Sequence, residues 1–205
     1  MRRSATTFLL TLSFGCFALP AFAAGQPSGT ISCELAGEFT FKSPPGLRGA
    51  ASTSPPQAIR VKLNETRGPC DNAGVVGGRF PITEVIALLD GRLGADATCA
   101  GFTSSLPFER TKLRLRWRGL NNYGRIVTIS KSKADVVSAT WDPGSERLII
   151  QTAPVALGNA FAGSTLSLRV RIDGGTAWDA TCAMLDANLT RLFFGHDDPS
   201  SATVP

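Results

Sequence analysis

Three groups of side chains in this sequence can do chemistry rather than simply fold. Cys16, Cys33, Cys70, Cys99 and Cys182 can hold a metal, attack a substrate or cross-link the chain. Sixteen carboxylates, six glutamates and ten aspartates, can supply an acid–base pair. The run "KLRLRWRG", residues 112–119, can bind an anion. The only histidine, His196, follows the last apolar run and is succeeded by Asp197, Asp198 and Pro199.

The cysteines invite the most specific readings, because the run "DATCA" occurs twice, around Cys99 and Cys182. A zinc site expects close pairs such as C-x-x-C, often with histidines nearby. Here the spacings are 37, 29 and 83 residues, and His196 has no histidine partner, so no metal ligands are assigned. Disulfides are the reading the spacing supports. Cys16 falls in the N-terminal segment read below as a signal, and the four remaining cysteines allow three connectivities. The preferred one is Cys33–Cys182 with Cys70–Cys99, the first joining opening and closing strands and the second closing a local loop. Each bridge is expected to contribute roughly 3–5 kcal/mol.

That reading depends on an oxidising compartment, which the N-terminus predicts. Arg2 and Arg3, an apolar stretch over residues 5–19, Pro20 and Ala21-Phe22-Ala23 have the three parts of a secretory signal. Residues 1–23 are therefore read as a signal peptide and 24–195 as a single domain. The polar residues 196–205 are read as a flexible tail. The apolar stretch is shorter than the roughly 20 residues of a spanning helix, and no transmembrane segment is expected in the mature protein. Loss of Arg2 and Arg3 lowers the formal charge from +5 to +3. So mild an excess does not suit a nucleic-acid binder, which concentrates its basic residues.

Catalytic signatures are weak. A serine or cysteine nucleophile needs an ordered imidazole beside it, and His196 lies in the expected tail. There is no G-x-S-x-G elbow, P-loop or dinucleotide fingerprint, and no cofactor or catalytic residue is assigned. Paired carboxylates leave no linear motif, so Glu34, Glu38, Glu65, Glu84, Glu109 and Glu146 stay open as a glycosidase-like alternative. "DGRLGAD", residues 90–96, does not match a calcium loop and reads as a turn.

The elements that must carry these groups show period-two alternation. "GTISCELAGEFTFK" reads as two strands around Ala36-Gly37, with Ile31, Cys33, Leu35, Phe39 and Phe41 on the inner side. "AIRVKLNET", "TKLRLRWR", "GRIVTIS", "DVVSATWD", "ERLIIQT" and "STLSLRVRI" follow, punctuated by turns. Only "PITEVIALLDGRL" offers a helix, and its β-branched residues also suit a strand. The expected fold is all-β, a disulfide-bonded antiparallel β-sandwich or open barrel of roughly 9–11 strands. Residues 43–57, "SPPGLRGAASTSPPQ", are a long irregular connection that can serve as a surface loop or as a lip over a binding face.

In a strand over 112–118, Leu113, Leu115 and Trp117 face inward while Lys112, Arg114, Arg116 and Arg118 face outward. That makes a basic ridge about 20 Å long, at roughly 3.4 Å per residue. Arg60 and Lys62, or Arg169 and Arg171, widen it if their strands are neighbours. Such a row equally serves as an ordinary solvated face.

The segments "GTISCELAGEFTFKSPPGL", "LNETRGP" before Cys70, "ATCAG", "LRLRWRG", "GNAFAGS" and the closing "ATCA" and "LTRLFFG" together carry a resemblance. The chain resembles a family of small secreted actinobacterial proteins of unknown function, from mycobacteria and streptomycetes. The resemblance implies a disulfide-bonded, all-β exported domain and carries no catalytic residues. The expectation is thus a secreted, non-catalytic protein binding an anionic cell-envelope polymer through Lys112, Arg114, Arg116 and Arg118. The alternatives are a secreted hydrolase with paired carboxylates, or a module that binds or inhibits another extracellular protein.

Overall fold

Alternation becomes strand wherever one side chain in two can be buried, and the burial pattern of residues 31–35 repeats that rule residue by residue. The computed structural model describes residues 25–42, 46–104, 106–174, 177–198 and 200–205. The expected signal, residues 1–23, lies outside the described residues, as do residues 43–45 of the irregular connection.

The strands are β1 (Ser28–Gly29), β2 (Ile31–Leu35), β3 (Gly37–Lys42), β4 (Leu47–Arg48), β5 (Ile59–Asp71), β6 (Val75–Val76) and β7 (Glu84–Leu93). After a 3-10 helix, Cys99–Thr103, come β8 (Phe108–Leu120), β9 (Ile126–Asp142), β10 (Arg147–Thr152) and β11 (Ser167–Val170). Helix α1 (Ala177–Met184), β12 (Asn188–Leu189), β13 (Arg191–Phe194) and β14 (Ser200–Val204) follow. The protein is all-β, with α1 as the single α-helix among the described residues.

Ten strands form one sheet, and eight of them close into an antiparallel barrel in the order β5–β2–β14–β11–β10–β9–β8–β7 and back to β5. Closure satisfies the edge hydrogen bonds that an open sheet leaves exposed. β5 is long enough to serve two neighbours along one edge: residues 60–63 pair with β3, and Cys70 and Asp71 pair with β2. The handover falls beside a bulge between Leu63 and Thr66. There Gly37 packs so closely on Thr66 that a Cβ would lie 2.3 Å from its Oγ1.

Two aromatic groups fill the interior. Phe39 contacts Phe102 and Phe194 at centroid distances of 5.6 and 5.1 Å, and Trp117 meets Phe161 at 4.9 Å. The buried indole of Trp117 donates to Ser132 Oγ at 2.8 Å, and that hydroxyl donates to the Ala160 carbonyl at 2.7 Å, so both of these buried donors are satisfied.

The disulfides are Cys33–Cys70 and Cys99–Cys182, which corrects the expected Cys33–Cys182 and Cys70–Cys99. Cys33 and Cys70 stand opposite each other on β2 and β5, so the first bridge staples two adjacent strands. The second joins the 3-10 helix to α1, with Trp178 Nε1 donating to the Cys99 carbonyl at 3.3 Å. Helices of five and eight residues are too short to persist unaided, and the bridge makes them one unit.

One open choice is resolved and two further expectations change. Residues 84–93 are strand, because β5 and β8 flank them on both edges and bury Val85, Ile86 and Ala87 together. The second "DATCA" lies in α1 instead of a strand. Residues 200–204 of the expected tail form β14, seated between β2 and β11 with Ala202 and Val204 buried. The 43–57 connection docks where it is described: Ala50 and Ala51 donate to the carbonyls of Cys182 and Leu185, and β4 pairs with β12.

Candidate anion-binding face

The ridge is built as its alternation requires. Leu113, Leu115 and Trp117 are fully buried, and Lys112, Arg114, Arg116 and Arg118 occupy the other face of β8. β7 and β9 flank it. Across one boundary Lys112, Arg114, Arg116 and Arg118 stand opposite Asp90, Leu88, Ile86 and Glu84. Across the other, Arg114 stands opposite Lys133 and Arg116 opposite Lys131. One strand beyond β7, Lys62 faces Asp90 and Arg60 faces Arg92. Ile86 is only 5% exposed although its register lies between Arg67 and Arg116, which fits long aliphatic stems covering an apolar outer position.

β5, β7, β8 and β9 together hold eleven Lys and Arg against seven Asp and Glu. The rest of residues 25–205 hold eight against nine. The protein's positive charge is therefore concentrated on four adjacent strands, although its total is modest.

Carboxylates engage some of these cations. Arg118 pairs with Glu84 at 2.6 Å with both side chains about one-fifth exposed, which shields this pair best from water. Arg116 reaches Glu65 at 3.0 Å, Lys112 reaches Asp135 at 3.3 Å, and Arg60 grips Asp90 through Nε and Nη2 at 3.2 Å. Among the described residues, Arg92, Arg110, Arg114, Lys131 and Lys133 have no carboxylate within ion-pair distance. Lys131 and Lys133 went unread in the sequence. Pairing β8 with β9 through the "NNYG" turn brings them beside Arg116 and Arg114.

The second arginine pair has a different fate. Arg169 and Arg171 lie on and just past β11, which neighbours β10 and β14 and never meets β8. Arg171 and Arg147 both close on Asp198, Arg147 at 3.0 Å, and Arg171 also reaches Glu146 at 3.3 Å. The Arg171 guanidinium holds the Asp198 carboxyl below the usual carboxylate range, and Arg171 is correspondingly raised. Asp142 is lowered too, by hydrogen bonds from the Ser145 hydroxyl and the Gly144 amide.

The remaining candidates are dispersed. Glu38, Glu65, Glu84 and Glu146 are each engaged by an arginine, at four separate positions. His196 is half exposed, and its Nδ1 lies 2.6 Å from Asp173. Residues 90–96 divide between β7 and a turn, and among the described residues no three His, Cys, Asp or Glu side chains gather as metal ligands.

Fold and face define an all-β, disulfide-bonded protein with one basic sheet face. Comparison with protein-family models, curated proteins and solved structures returned no match to the chain. Two disulfides, and the absence among the described residues of a helix long and apolar enough to cross a membrane, are compatible with an extracellular protein.

Proposed function

We propose that this is an exported, non-catalytic protein whose closed sheet, flattened like a sandwich, presents a basic face to an anionic cell-envelope or other extracellular polymer. The observation that carries the reading is the concentration of cations on β5, β7, β8 and β9. Neighbouring strands bring separate charge runs within about one Debye length, roughly 8 Å at physiological salt, so their fields add. Lys112, Arg114, Arg116 and Arg118 form its central row. Export is supported by the signal-like N-terminus and by two disulfides, which persist in oxidising compartments.

The test is retention of the purified protein on isolated cell envelopes across a salt series. Retention that falls steadily with ionic strength is expected. Salt-insensitive retention, or none at low salt, excludes this function.

A further inference from the structure

Resting on the polyanion reading, we infer that an irregularity between β7 and β8 builds a subsite for a phosphate group, free or carried on a polymer. The two strands pair regularly from Glu84–Arg118 to Asp90–Lys112, and then the register slips so that Arg92 stands opposite Glu109. Gly91 alone spans Arg110 and Thr111. Glu109 and Arg110 are consequently both exposed in succession, which a regular strand does not permit.

Several features hold this bulge in place. Arg110 has φ 47°, a left-handed conformation uncommon for a side chain of its size. Thr111 is buried, with its hydroxyl 3.0 Å from the Glu109 carbonyl and 3.3 Å from that of Arg92. A Cβ on residue 91 would lie 1.9 Å from Thr111 Oγ1, so this turn of the ladder requires glycine. Strained positions of this kind cluster at binding sites, where the surroundings enforce them.

The bulge opens beneath a shallow cleft of about 480 Å³ lined by Arg60, Arg92, Arg110, Lys112 and Arg114. Its one acidic side chain is Asp90, whose two oxygens already accept from Arg60 Nε and Nη2. Arg92, Arg110 and Arg114 thus bring three guanidinium groups to one cleft without a carboxylate partner among the described residues. Each guanidinium offers paired N–H donors in a plane. A phosphate offers several acceptor oxygens around one centre and, as a monoester, nearly two charges at neutral pH. A carboxylate has two oxygens in one plane and one charge, so it satisfies three converging guanidinium groups less fully.

The experiment compares wild type with the Arg92→Gln/Arg110→Gly double variant, glycine being suited to the left-handed backbone. Arg110→Asn serves as a second variant that also tolerates that conformation. Binding is measured to inorganic phosphate, to polyphosphate and to a polyuronate. In the wild type, inorganic phosphate should shift the Nε–Hε resonances of Arg92, Arg110 and Arg114. The double variant should bind polyphosphate about fivefold more weakly while polyuronate binding changes by less than about twofold. Equal losses for both polymers, or no loss, overturn the subsite. If the double variant keeps full polyphosphate affinity while neutralising Lys112 and Arg116 abolishes it, the subsite fails and the basic face stands. Failure of the wild type to bind any polyanion at low salt overturns both.

Discussion

Near the end of the chain Arg171 follows β11, and together with Arg147 of β10 it closes on Asp198, while Glu146 takes its other nitrogen. Two cations meet two anions there, and the cluster is locally neutral. On β8 the cations point outward in the same alternating way, but their carboxylates are spread one to a residue and Arg114 has none among the described residues. The two segments, "LRLRWR" and "SLRVRI", share a pattern of large apolar residues alternating with arginine. The strands placed beside them differ. β8 lies between β7 and β9, whose outward rows include Lys131 and Lys133, whereas β11 lies between β10 and β14 near the acidic residues 197–198. An arginine's role is set by what its neighbours present across the ladder.

Neutralising each set of cations separates the two segments. Lys112→Gln/Arg114→Gln/Arg116→Gln should weaken polyanion binding about tenfold at low ionic strength. Arg169→Gln/Arg171→Gln should change it by less than about twofold, and affinity measured on an anionic polymer checks both. Comparable losses from the two sets would erase the distinction. A smaller effect separates cations within β8. Arg118→Gln leaves the largely buried Glu84 without its partner and should cost about 1 kcal/mol in denaturant unfolding. Arg116→Gln, whose pair is nearly half exposed, should stay within about 0.5 kcal/mol.

The smallest effect concerns pH. Because Asp198 binds its proton more weakly in the folded protein, its contribution is complete above the ordinary aspartate range. It is lost as pH falls through the lower folded value. Asp198→Asn should therefore lower the thermal midpoint slightly at neutral pH, and the difference from wild type should vanish in acid. A difference that grows on acidification would contradict the assigned ion cluster.

Strand identity was legible wherever alternation used strongly apolar residues, as in 31–41 and 113–117. β14 escaped because its buried side chains are Ser200, Ala202 and Val204, a weak apolar signal behind two aspartates and a proline. Residues 84–93 admitted either helix or strand because consecutive side chains, on both faces of the strand, are buried, which blurs the alternation. The repeated "DATCA" misled more deeply. One copy leads into the 3-10 helix Cys99–Thr103, and the other, rich in alanine with Asp179 in its first turn, lies in α1. Their shared feature is the bridge between them, a tertiary fact that spacing cannot encode. Of the candidate face, the β8 row was readable from parity. Arg92, Arg110, Lys131 and Lys133 join it through cross-strand register and one bulge.

The proposed contact is made by the face that β5, β7, β8 and β9 share. Residue-resolved arginine and lysine labelling, with and without a saturating anionic polymer, reports on it residue by residue. Protection concentrated at Arg114, Arg116, Lys131 and Lys133, with Arg169 unchanged, is the predicted result. Protection at Arg169 with the β8 row still fully reactive would contradict it.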